Sequence, residues 1–268
     1  MNLSSFKKTI WNYYKKNRRE FLWRTDTSPY SVVVSEIMLQ QTQAPRVVAK
    51  YESFMKKFPN FETLAAANTA ELLKEWRGLG YNSRALRLRS LARTLVEEHG
   101  GKLPRSPEAL VALPGIGPNT AGSILAFAFN IPHPFIETNI RTVFIHFFFK
   151  QKEEVSDQEI TPLVLKTMDR EKPREWFYAL MDYGVMLKKL HKNPSRQSLH
   201  YKKQSTFKGS NRELRGAILR LLLEKPHRAI EAAKKLNRTA GEVSTTLEIL
   251  AKEGFLVHSR GKFSIARQ

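Results

Sequence analysis

Leu113-Pro114-Gly115-Ile116-Gly117-Pro118-Asn119-Thr120-Ala121, followed by a carboxylate at Glu137, decides how this chain reads. The Gly-X-Gly step predicts a tight turn between two helices, the second starting near Pro118. Glycine lets a backbone come close to a partner and leaves amide N–H groups pointing outward. At the positive N-terminus of a helix, those amides suit a phosphate. A Gly-rich connection between packed helices has the same local signature, so the choice falls to the rest of the chain.

The 268 residues suffice for one large or two modest domains, and 41% hydrophobic with 10% aromatic residues is the composition of a folded protein. Net charge is +20, from 45 Lys and Arg against 25 Asp and Glu. Such an excess points to a polyanionic partner. No apolar run approaches the ~18 residues of a membrane span, and the first residues lack a signal-peptide core. A membrane role and export are therefore not expected, which leaves the cytoplasm, associated with the nucleoid if the source is prokaryotic. There is no cysteine, which excludes disulfides, thiolate zinc sites and cysteine-ligated iron–sulfur clusters.

Helical periodicity runs from about residue 4 to 190, as in Leu72, Leu73 and Trp76 or Leu88, Leu91 and Leu95. Turn signals punctuate it at Ser28-Pro29, Phe58-Pro59-Asn60, Gly78-Leu79-Gly80 and Pro132-His133-Pro134. The expected fold class is all-α, with residues 1–190 as one helical body. Residues 191–211 read as a solvated, flexible linker that can also touch phosphates, part of a basic run with Lys188, Lys189, Lys192, Arg196, Lys202, Lys203 and Lys208. Residues 212–268 read as a small domain. Three helical stretches precede Phe255-Leu256-Val257 and Phe263-Ser264-Ile265, which flank Arg260-Gly261-Lys262. That pattern resembles a winged helix, with its third helix as groove reader and Arg260 and Lys262 on a phosphate-contacting wing. Winged helices also dock proteins.

Ser35-Glu36-Ile37-Met38-Leu39-Gln40-Gln41-Thr42-Gln43, Gly78-Leu79-Gly80-Tyr81 and the 113–121 turn occur in that order. Together they resemble the helix-hairpin-helix DNA glycosylases, and over about residues 17–190 the catalytic domain of the MutY adenine DNA glycosylases. The resemblance implies a two-lobed helical fold whose hairpin, with Gly115, Gly117, Asn119 and Thr120, grips the DNA backbone. It implies a monofunctional glycosylase of base excision repair, acting on a base flipped out of double-stranded DNA. Mispaired adenine is the first expected substrate, and uracil, thymine or an oxidised cytosine the alternative. A non-catalytic DNA-binding protein on the same scaffold is the reading from another class. The chain is expected to act as a monomer.

The residue roles follow from the same resemblance. Glu36 is the expected acid that protonates the leaving base, since a carboxyl among apolar neighbours holds its proton near neutral pH. Glu137 stands where the superfamily has aspartate and is expected to stabilise positive charge at the sugar, although Glu137-Thr138-Asn139 also has the chemistry of a helix cap. Asn119 replaces the lysine of the bifunctional members, and an asparagine forms no Schiff base. Gln40, Gln41 and Thr42 are candidates to fill the emptied stack, and Arg24 and Tyr30 to shape the base pocket. Tyr81 and Asn82 fall at a DNA-contacting turn, where adenine glycosylases commonly carry two tyrosines. Main-chain carbonyls around Leu113 and Ile116 are expected to hold a monovalent cation. The family's four-cysteine iron–sulfur loop would fall just after Met186, where this chain has lysines, and the family's Nudix-like tail is replaced by the winged-helix pattern. No other cofactor is implied.

Overall fold

The computed structural model describes residues 2–191, 193–204 and 206–267, so Lys192 lies outside the described residues. In chain order the helices are α1 (Leu3–Asn17), α2 (Leu22–Thr25), α3 (Pro29–Leu39), α4 (Ala44–Lys57), α5 (Phe61–Ala65), α6 (Thr69–Trp76), α7 (Ser83–His99) and α8 (Pro107–Val111). They continue with α9 (Pro118–Phe129), α10 (Thr138–Phe148), α11 (Asp157–Thr167), α12 (Pro173–Leu190), α13 (Asn211–Glu224), α14 (Ala229–Leu236) and α15 (Ala240–Lys252). Strands β1 (Leu256–Ser259) and β2 (Lys262–Ile265) close the chain as an antiparallel pair, Leu256 opposite Ile265 and Ser259 opposite Lys262. The all-α class with a small terminal hairpin is what the periodicity predicts.

The chain divides into two compact units, Met1–Glu36 with Leu103–Lys203 and Ile37–Lys102 with Gln204–Gln268. The division falls inside α3, between Glu36 and Ile37.

In the first unit, α1, α10 and α12 bury an aromatic cluster. Phe6 packs on Phe144, Phe148 and Trp176 with ring centroids 5.3, 5.1 and 6.1 Å apart. Rings at these separations bury large apolar areas and add edge-to-face attraction. Two glycines set how closely the backbones approach. A Cβ on Gly122 of α9 would come within 2.7 Å of the Phe135 Cβ, and one on Gly184 of α12 within 2.3 Å of the Asn139 carbonyl oxygen. These contacts clamp the 133–139 segment, which contains Glu137.

The basic run after α12 is tied down over part of its length. Pro194–Gln197 forms a 3-10 turn whose cap, Asn193, accepts hydrogen bonds from the Ser195 N–H (3.2 Å) and hydroxyl (2.8 Å). Val155 N–H donates to the Gln197 carbonyl (2.8 Å) and Leu199 N–H to the Val155 carbonyl (3.1 Å). A flexible tether was the expectation for this stretch, but a backbone bridge to Val155 that no local pattern announces supplies hydrogen bonds to it.

In the second unit, the three terminal helices and the hairpin share one apolar cluster, including Leu214, Ile218, Val243, Leu247, Phe255 and Phe263, and Leu73 of α6 belongs to it. Residues 212–268 thus have their own apolar centre and extend it onto α6. The hairpin turns through Arg260 and Gly261, both at positive φ (51° and 71°), the twist that a two-residue connection between antiparallel strands needs.

Candidate active site

Glu36 sits on α3, half-buried between buried Ser35 and Ile37. Burial pushes its carboxyl up to about 7, and the charge of Glu137 adds to the push, while the Ser123 hydroxyl and Arg24 work against it. Ser123 donates its own proton to the Thr120 carbonyl at 3.0 Å. A carboxylic acid poised near neutrality can hold a proton and release it.

Glu137 is the N-cap of α10. Its Oε1 accepts the backbone N–H groups of Asn139 and Ile140, both at 2.8 Å, and its Oε2 accepts the Asn139 side-chain amide at 3.1 Å. The side chain expected to stabilise charge at the sugar is thus seen capping the helix. Three donors fix both oxygens, so the extra methylene relative to aspartate is taken up in a defined conformation. Lys188, half-buried in the last turn of α12, donates to Asn139 Oδ1 at 2.8 Å. It belongs to this cluster, whereas Lys189 is exposed.

Arg24 has a supporting position. Its guanidinium makes a two-pronged ion pair with buried Asp182 (2.9 Å to each oxygen) and lies over the Tyr178 ring, 4.3 Å from its centroid. Arg19 joins the same carboxylate through its backbone N–H (2.9 Å) and Nε (2.6 Å). Burial, with Glu36 as a further contributor, raises the Tyr178 hydroxyl well above its ordinary value. Tyr30 is buried in the first turn of α3. The sequence reading missed Ser123, Tyr178 and Asp182. Only Asp182 left a trace, as an acid inside the apolar run of α12.

The hairpin forms as predicted between α8 and α9. Gly115 has φ 81°, a left-handed conformation that favours glycine. Gly117 is the N-cap of α9, and a Cβ there would meet nothing within 4 Å. Gly115, Gly117 and Asn119 are exposed, Thr120 is half-buried, and Leu113 and Ile116 anchor the turn from beneath. Asn119 turns its side chain inward: its Oδ1 accepts the Ile136 N–H at 3.0 Å, tying the hairpin to the residue before Glu137. The Leu113 carbonyl accepts the Ile116 N–H at 3.2 Å and keeps a second lone pair. The monovalent cation expected here would be held by such carbonyl oxygens, and no chemical step depends on it.

In the second unit, Arg84 organises the turns that carry the remaining candidates. This buried arginine donates to the carbonyls of Ile37 (2.9 Å) and Met38 (2.8 Å) at the end of α3, to those of Leu79 (3.2 Å) and Gly80 (2.9 Å), and to the Thr42 hydroxyl (2.9 Å). Burial lowers its guanidinium to about 10. Thr42 is thereby committed to structure. Gln40 is half-buried, and Gln41 is exposed with φ 54°. The Tyr81 hydroxyl accepts from Arg212 Nη1 at 2.9 Å and hydrogen-bonds Gln204. Half-buried Asn82 precedes α7 without a side-chain capping bond. Nothing in the sequence marks Arg84 among the arginines of α7.

On the terminal element, Arg228, Arg260 and Lys262 are exposed around the hairpin. The exposed face of α15 instead carries Glu242, Thr245, Glu248 and Ile249. Two carboxylates on that face oppose entry into a phosphate-walled groove, so the third helix lacks the chemistry of the groove reader it was expected to be. Among the described residues no helix is long and apolar enough to cross a membrane, and no cluster of His, Asp and Glu could hold a metal ion.

Comparison with known proteins agrees with this geometry. Residues 34–164 match the model of the HhH-GPD superfamily base excision DNA repair proteins. An adenine DNA glycosylase of Buchnera aphidicola is 36% identical over 187 residues, 68% of this chain and 52% of that protein. The human adenine DNA glycosylase is 34% identical over 195 residues, 68% of this chain and 36% of that protein. The chain thus spans about half or less of these relatives. A solved thermostable thymine-DNA glycosylase superposes with a TM-score of 0.63 at 27% identity, covering 69% of this chain and 86% of that one. Residues 34–164, which contain the hairpin and both glutamates, are thus the part of the chain that matches the HhH-GPD superfamily of base excision DNA repair proteins.

Proposed function

We propose that this protein is a monofunctional DNA glycosylase that hydrolyses the N-glycosidic bond of a base flipped out of double-stranded DNA, with mispaired adenine as its substrate. The observation that carries the reading is the pair of glutamates. Glu36 has its carboxyl pushed up to about 7 in the field of Glu137, and Glu137 is held rigidly by three donors. A carboxyl that holds its proton beside a second one fixed by hydrogen bonds can divide acid and electrostatic roles with it. Glu36 gives its proton to the base as the C1′–N bond breaks. Glu137 stabilises the cationic sugar, water adds to C1′, and the proton that water loses restores Glu36. The adenine DNA glycosylases among the relatives favour adenine, and Asn119 in place of a lysine favours an abasic product without strand cleavage.

Single-turnover excision on a panel of duplexes tests this. The panel carries adenine opposite 8-oxoguanine or guanine, and uracil, thymine or oxidised cytosine opposite guanine, each read with and without alkali. Adenine release with strand breaks only after alkali is expected. Pyrimidine release would keep the chemistry and change the substrate. Tight binding with no release from any duplex would favour a non-catalytic DNA-binding protein.

A further inference from the structure

Gly184 and Lys188 lie one turn apart on the same face of α12, and both address Asn139. The missing Cβ of Gly184 makes room for the Asn139 carbonyl, which a Cβ would meet at 2.3 Å, and Lys188 Nζ donates to Asn139 Oδ1 at 2.8 Å. On its other side the Asn139 amide donates to Glu137 Oε2 at 3.1 Å. We propose that Lys188 is a positioning residue for the Glu137 carboxylate, acting through Asn139 rather than through contact with DNA phosphate. The proposal rests on the reading of Glu137 as the group that stabilises charge at the sugar.

The argument is one of donors and acceptors. An ammonium only donates, so Lys188 requires the oxygen of the Asn139 amide to face it, and the NH2 end is then directed at Glu137. Without that lock the amide can turn over and present an oxygen to a carboxylate, which is repulsive. The Lys188 ammonium is also placed to feel Glu137: burial lowers its proton affinity, the Glu137 charge raises it, and Arg141 lowers it. A cation serving phosphate contact would keep its head in water. This one is half-buried and bonded inward.

Lys188→Met and Lys188→Arg test the proposal, with Glu137→Gln alongside. Two quantities are read on the duplex that the parent chain processes: the single-turnover excision rate at saturating protein, and the dissociation constant. Lys188→Met should slow excision about tenfold or more, towards the ~100-fold that an ångström of misplacement costs, with affinity within about twofold. Lys188→Arg, which keeps an all-donor head, should recover most of the rate. Parent-like excision by Lys188→Met, or a matching loss of affinity, would overturn the proposal in favour of a bystander or a phosphate contact. If Lys188→Met does not fold, Lys188→Ala is read in the same way. Parent-like excision by Glu137→Gln would remove the carboxylate reading and the lysine proposal with it. Inactive Glu137→Gln beside fully active Lys188→Met would remove the lysine proposal alone.

Discussion

Glu137 raises the proton affinity of Glu36: the cap of α10 supplies charge to a carboxyl on α3 that burial has already pushed up to about 7. A position that stabilises a helix thus also tunes an acid. Burial first, and the Glu137 charge beside it, raise the proton affinity of Glu36 in a chain with a net charge of +20, where a general positive field would otherwise favour its ionised form.

The rate of base release should therefore fall as pH rises through about 7, by close to tenfold per unit once Glu36 is ionised. Single-turnover rates between pH 6 and 9 check this. A profile that stays flat across that range would remove Glu36 as the acid.

Glu36→Gln should abolish excision and stabilise the fold at high pH. The folded carboxyl binds its proton more tightly than the unfolded one, whose ordinary value is 4.5. Between 4.5 and 7 the native state holds more protons, so stability falls as pH rises through that window. The loss is fully present above 7 and amounts to about 3 kcal/mol at most. Urea unfolding should find the variant more stable than the parent at pH 8 and the gap closing towards pH 4.5.

Removing the Arg84 guanidinium, as in Arg84→Met, should destabilise the protein by about 3 kcal/mol or more, because several buried carbonyls lose a charged donor at once. Chemical denaturation measures this directly. Arg84→Lys should recover little, since one ammonium cannot reach acceptors on both turns.

Gly184→Ala should cost about 1–3 kcal/mol through overpacking and should slow excision as well, because the new methyl would push on Asn139 and hence on the Glu137 cap. Thermal melting and single-turnover rates read the two effects separately. A variant that melts lower but excises at the parent rate would show that the cap tolerates the shift.

Duplex binding should weaken steeply with salt, and neutralising Arg260 or Lys262 should each reduce the slope of log affinity against log salt by about 1. Both side chains are exposed at the hairpin turn. Slopes unchanged in both variants would place the phosphate contacts elsewhere.

The sequence by itself determined the helical class, the hairpin at 113–121, the terminal strand pair and the two glutamates, because each rests on local rules. Helical periodicity, a glycine able to hold φ 81°, a turn flanked by apolar triplets and a motif at fixed spacing can all be read within a few residues. The tertiary structure alone decided which side chains those features meet. Arg84 reaches carbonyls more than forty residues away, at Ile37 and Met38, and Asp182 gathers Arg19 and Arg24 from the opposite end of its unit. Lys188 is drawn out of a run of surface lysines to the amide beside Glu137. A long side chain shows in sequence only as a charge. Its partner is chosen by which backbones a Gly184 or a Gly122 allows to approach, and that choice is made by packing across the chain.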